Sequence, residues 1–192
     1  MILLAALALG LLAGWVRARW IRKPYQVPAL RYLWLVPVAF LPQLLVAYLP
    51  GFEQYLPDRL SAAALPVSLL AFAAFVWLNR ATAGMPVLLL GLILNLLVIV
   101  ANGGWMPISP ETASQLSGGE AVAFMSPGSR FGQKDVLLLP EETRFELLSD
   151  RFLLPDWIPY KVALSLGDMF VAIGTCWLMI SPRSKSDSNR SE

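Results

Sequence analysis

Five stretches of this chain, Ile2 to Val16, Tyr32 to Leu49, Leu60 to Leu78, Met85 to Ala101 and Val162 to Ile180, contain between them a single charged residue, Asp168. A bilayer core about 30 Å thick asks for roughly 20 apolar residues in a helix, within about 17 to 25, and the five stretches approach that length. The chain as a whole is 57% hydrophobic and 15% charged, well above the apolar share of an ordinary soluble domain. The expected fold is an all-α membrane protein with five transmembrane helices at residues 2–16, 32–49, 60–78, 85–101 and 162–180. Residues 102–161 are expected to form an extracytoplasmic segment of α+β or irregular structure with short helices, and 181–192 a disordered polar tail. The first apolar run has no basic residue before it and Arg17, Arg19, Arg22 and Lys23 after it. That is the reverse of a cleavable secretory signal, so the run reads as a retained helix.

Orientation follows from the connections, because cytoplasmic loops carry the excess of Lys and Arg. The stretch Arg17 to Arg31 holds five basic residues and no acid, Arg80 follows the third run, and Arg183, Lys185 and Arg190 lie in the tail. The alternate connections are Pro50 to Arg59 and Asn102 to Lys161, the latter with five basic and eight acidic residues. The N-terminus is therefore expected outside and the C-terminus inside, with the lipid bilayer as the first partner. Trp15, Trp20, Trp34, Trp77, Trp105 and Trp157 fall near expected helix ends, where an amphipathic ring prefers the interface.

The chain has no histidine and one cysteine, Cys176. This excludes Ser-His-Asp and Cys-His nucleophile pairs, histidine-ligated haem and the usual zinc sites. Neither a cofactor nor a metal is expected. A net charge of +2, with the basic residues grouped by loop, does not point to nucleic acid.

The polar residues inside the apolar runs are the candidate binding residues. A carboxylate in hydrocarbon costs roughly 2.5 to 3.5 kcal/mol even on lenient scales, so Asp168 reads as functional with a partner. Counted from the outer helix ends, Asp168, Asn95 and Gln43 lie six residues in and Ser68 eight. At 1.5 Å per residue that is a common level about 9 to 12 Å deep. Ser165, Asp168, Ala172 and Thr175 share one helical face, and Gly91, Asn95 and Asn102 another. The expectation is an outward-facing cluster of Asp168, Asn95 and Gln43, with Asn102 and Ser165 beside it. The bland reading of the amides is bundle glue, since interhelical hydrogen bonds average about 0.6 kcal/mol. Pro42 and Pro66 lie next to the same level, and Ala163 with Gly167 forms a small-xxx-small pair on the last helix.

The outer segment should hold structure of its own, being far longer than a usual connection. Ser109 before Pro110 and Glu111 is a helix start. Ala121 to Met125 and Val136 to Leu139 are expected as a hairpin, and the turn with Gly128, Arg130, Gly132 and Lys134 as solvated. Glu141 to Leu154 reads as an amphipathic helix with Phe145, Leu148 and Phe152 on one face.

Leu94-Asn95, Asn102-Gly-Gly-Trp-Met-Pro107 with Ser109, Leu148-Ser-Asp150 and Ser165-Leu-Gly-Asp168 together resemble a family of small bacterial membrane proteins of about five helices, known only as a domain of unknown function. Its hallmark is an Asn-Gly-Gly-x-Met-Pro stretch followed by Ser-Ile-Gly-Asp, and here Leu166 replaces the isoleucine. The match covers Met85 to Ile180. The resemblance implies the bacterial inner membrane and no reaction.

Three functions remain. The leading one is binding of an ion, proton or small polar ligand at the outer cluster, which predicts sensitivity to Asp168→Asn. The second is an accessory or assembly subunit packed on a larger membrane-protein partner, which predicts tolerance of that change. The third, least favoured, is a membrane enzyme acting on a lipid-linked substrate, with Asp168, Asp150 or Asp135 as acid or base. No second catalytic group is evident beside any of these carboxylates.

Overall fold

A computed structural model describes residues 2–48, 57–117, 125–155, 158 and 161–181. The expected polar tail, Trp157 and residues 121–124 of the expected hairpin lie outside the described residues. The described chain is mostly helical. α1 (Ile2–Trp20) continues past the expected end because Arg17 and Arg19 extend it, and cations in a last turn complement the helix dipole. α2 (Leu35–Tyr48) and α3 (Asp58–Leu78) each contain a proline, Pro42 and Pro66. α4 (Met85–Ala101) opens after Gly84, with a proline in its first positions. α3 is the helix among the described residues that is both long and apolar enough to cross a membrane, while α2, α4 and α6 are apolar but shorter.

The segment after α4 contains β1 (Met106–Ile108), α5 (Pro110–Ser117), β2 (Arg130–Phe131), β3 (Asp135–Leu137), β4 (Phe152–Leu153) and β5 (Ala163–Leu164), followed by α6 (Leu166–Ile180). β3 is central, parallel to β1 and antiparallel to β2, and β4 pairs antiparallel with β5. Ile108, Ala113, Leu137 and Ala163 form the core of this layer. Gly103 and Gly104, with φ of 78° and 95°, make the turn from α4 into β1. Only glycine adopts such angles without strain.

Two expectations are corrected here. Glu141 to Leu154 is not an amphipathic helix. It forms a turn, a single 3-10 turn at Glu146–Leu148 and then β4. Phe145 sits in the left-handed region at φ 57°, which ends any helix there, and the Asp150 N–H donates instead to the Pro107 carbonyl. The last helix does not start at Val162. Ala163 and Leu164 are spent on pairing with β4, so Ala163 and Gly167 do not form a helical small-residue pair.

The five long helices form a row in which α2 packs on α3, α3 on α4, α4 on α6 and α6 on α1. α4 and α6 meet along glycines spaced seven apart on each. A Cβ at Gly91 would lie 2.5 Å from the Gly167 carbonyl oxygen, and one at Gly174 would lie 2.5 Å from the Leu88 nitrogen. Gly84 likewise faces Leu178. The seam between α1 and α6 is built the same way, with Gly10 against Cys176 and Met179, and Gly14 against Met179. Absence of side chains lets the backbones approach. α1 and α2, the ends of the row, have no comparable contact. The row nonetheless curls, for Leu7 of α1 and Phe40 of α2 line one cavity.

Candidate functional site

That cavity, about 390 Å³ in volume, lies inside the curl of the row and is walled mainly by aliphatic and aromatic side chains. Its polar wall is made by Asp168, Asn95, Thr175, Gln43 and Lys134. Asp168 and Asn95 meet as anticipated, but by another route. Asn95 is six residues inside the C-terminal end of α4, whereas Asp168 is in the first turn of α6. The strand β5 and Ser165 descend to that level, so the depth counted for Asp168 along a longer helix is corrected.

Ser165 is the N-cap of α6, and the sequence Ser165-Leu-Gly-Asp168 closes a capping box. Its hydroxyl accepts from the Asp168 N–H at 2.9 Å, and the Ser165 N–H donates to Asp168 Oδ2 at 3.3 Å. The same hydroxyl donates to Asn95 Oδ1 at 2.8 Å, and Asn95 Nδ2 donates to Asp168 Oδ1 at 2.8 Å. The result is a closed ring of three side chains tying α6 to α4. Ser165 is buried and Asn95 nearly so. A carboxylate has about four acceptor positions, and two are used, so Asp168 retains capacity toward the cavity. Gln43 faces the same cavity from α2 without a hydrogen bond to the ring among the described residues.

Asn102 does not belong to this cluster. Its Nδ2 donates to the carbonyls of Val98 at 2.7 Å and Arg144 at 2.8 Å, and its Oδ1 accepts from the Arg144 N–H at 3.0 Å. It ends α4 and pins to it the turn at Arg144, 42 residues later in the chain. Asn102→Ala should cost about 1 kcal/mol of stability, the usual net contribution of a hydrogen bond whose freed partners can turn to water. A lowered thermal midpoint in mild detergent checks this. An unchanged midpoint would show that water replaces the clamp.

The residue that sequence reasoning missed is Lys134. Far from lying in a solvated turn, it lines the cavity from the side of the sheet layer and pairs with Asp135 at 2.9 Å and with Asp150. Its side chain is half-exposed. Asp135, Asp150 and Asp168 together hold its ammonium group above the ordinary lysine range, against the opposing effect of burial. Asp150 is 2% exposed. Burial pushes its carboxyl up from 3.8 to about 7, with the neighbouring Asp135 and Asp168 adding to the rise and Lys134 opposing it. Burial also raises Asp135, again opposed by Lys134. Asp150 Oδ1 finds no donor among the described residues, and Asp135 is within hydrogen-bonding reach of Asp150. Among the described residues no cluster of three or more acidic or thiol groups is placed to hold a metal ion.

A family model for DUF5317, a family of unknown function, matches residues 28–180. No curated protein and no solved structure matches the chain.

Proposed function

Since the chain belongs to the DUF5317 family, a family of unknown function whose membership brings no reaction with it, we propose from the geometry that it is a multi-pass membrane protein that binds a small cationic or hydrogen-bond-donating ligand at Asp168. The observation that carries the reading is the Asp168, Asn95 and Ser165 ring standing at the polar wall of a cavity that is otherwise apolar. Pockets for small ligands are typically about 300 to 1,000 Å³, mostly apolar, with a few placed polar groups.

The membrane placement is supported by the outward faces of the helices. Leu9, Leu41, Leu70, Ile93 and Ile173, one from each long helix, are all exposed, and an exposed apolar belt of this extent suits lipid. Exposed Trp15, Trp20, Trp34, Trp77 and Trp177 fall toward the same end of the long helices, the end that also holds Arg17, Arg19 and Arg80. Aromatic residues with an excess of arginine suit a cytoplasmic interface. We place the N-terminus outside, five helices across the membrane, and the sheet layer on the outer face of a bacterial inner membrane, the compartment that the sequence resemblance implies.

The test is thermal unfolding in lipid nanodiscs in methylammonium chloride against choline chloride at matched ionic strength. Methylammonium should raise the midpoint of the wild type and leave Asp168→Asn unmoved. The carboxamide keeps the cap and removes the charge. The ring is also self-satisfied, which favours a second reading in which it is glue within an accessory subunit. Equal responses of the two proteins, or none, would reject ligand binding in favour of that reading.

A further inference from the structure

We propose that the ligand is a single-chain amphiphile with an ammonium head, drawn sideways from the bilayer through the gap between α1 and α2. This rests on the reading that Asp168 binds a ligand and specifies what that ligand is.

The route follows from which sides of the cavity are closed. On the outer side Met106 of β1 and Lys134 line it, and both belong to the sheet layer that covers the row. On the inner side the segment between α1 and α2 crosses beneath it, with Leu30 in its wall. That segment is fixed at two points. Asn79, after α3, accepts from the Arg31 N–H at 2.7 Å and donates to its carbonyl at 3.0 Å, while the Tyr25 hydroxyl donates to the Met179 carbonyl at 3.0 Å. Around the circumference, three of the helix junctions enclosing the cavity are continuous, and the α4 and α6 junction is backbone against backbone. Among the described residues, the junction without a packed seam is that between α1 and α2. A molecule entering there comes from among lipid chains.

The shape of the chamber suits a chain. Asp168 and Leu178 both line it, and ten residues of helix rise about 15 Å. Along that length it meets Phe40, Leu69, Phe72, Leu92 and Val171. No buried water-soluble ligand needs so long an apolar wall, whereas each methylene moved out of water contributes about 0.8 kcal/mol.

The sign of the head follows from the charges at the polar wall. One ammonium, Lys134, stands against the three carboxyl groups of Asp135, Asp150 and Asp168 and is outnumbered by them. Lys134 is already engaged by Asp135 and Asp150. An anionic head would meet uncompensated carboxylate charge. An ammonium head supplies three donors to the free acceptor positions of Asp168.

The experiment uses the full chain in phosphatidylcholine nanodiscs, with methylammonium, dodecylammonium, dodecanol and dodecanoate as probes. Native mass spectrometry counts bound molecules, and thermal midpoints report affinity. Dodecylammonium should bind one per chain, at least tenfold more tightly than methylammonium, and the bound peak should vanish in Asp168→Asn. A cavity-filling Leu69→Trp should lose dodecylammonium and keep methylammonium. Should that variant fail to fold, the wild-type series decides alone. If methylammonium binds and the chain adds no affinity beyond that seen in Asp168→Asn, the amphiphile is rejected and the Asp168 site survives. Equal binding of dodecanoate or dodecanol would overturn the ammonium head. Failure of both amines would remove the site itself.

Discussion

Lys134→Met is expected to lower stability by about 3 kcal/mol at pH 8 and by much less at pH 5. Removing one member of a buried ion pair leaves its partner's charge unbalanced, at a typical cost of about 3 to 5 kcal/mol, and half-exposure of Lys134 places this case at the lower end. The pH contrast comes from Asp150. In the wild type its folded-state pKa is raised from 3.8 to about 7. A carboxyl whose pKa rises on folding stabilises the fold when protonated, and that contribution is lost as pH climbs from about 4 to about 7. At one unit per about 1.4 kcal/mol the loss is at most about 4 kcal/mol. Lys134 opposes this rise in Asp150 and in Asp135. Without it both carboxyl groups move further up, so the loss extends beyond pH 7 and deepens at pH 8. Adding Asp150→Asn to Lys134→Met should restore much of the stability at pH 8 and flatten the profile. Urea unfolding of the three variants in nanodiscs at pH 5 and pH 8 measures this. An identical loss at both pH values would mean that Lys134 acts by packing and that its charge is irrelevant.

Gly91→Leu should separate α4 from α6 and cost about 3 kcal/mol or more, the upper end for overpacking, with loss of the native fold as the limiting outcome. The side chain would point into backbone: its first carbon meets the Gly167 carbonyl oxygen at 2.5 Å and the Val171 nitrogen at 2.7 Å. Backbone cannot yield as a flexible side chain does. Gly103→Ala is the control. Nothing lies within 4 Å of its Cβ, and only the positive φ of 78° is strained, a cost of about 1 to 2 kcal/mol. Thermal midpoints in detergent should fall far more for Gly91→Leu. Comparable falls would show that the seam has room to open.

The meeting of Asn95 with Asp168 was legible because α4 is regular along its whole length, so counting residues from its end gives depth. The same count along α6 went astray at Val162 to Leu164, an apolar run that fits strand and helix equally until the pairing of Leu164 with Phe152 decides it. Ser165 could have been recognised as a cap from Ser165-x-x-Asp168, a spacing that carries its own mechanism. Lys134 was unreadable. It follows Gly132 and precedes Asp135, the ordinary dress of a solvated turn, and only the parallel pairing of β1 with β3 carries it over the cavity. The glycines at 84, 91, 167 and 174 were visible in the sequence, but which helices they join is a property of the row.

The position of α6 in that row also sets an order of events. α6 stands between α4 and α1, both synthesised before it, and the Arg17 to Ile180 hydrogen bond closes a separation of 163 residues. Until the ribosome has delivered α6, the glycine faces of α1 and α4 have nothing to pack against. Contacts so distant in sequence close late. The helices made before it therefore wait as an open arc, and the arrival of α6 locks α1 and α4 into one assembly.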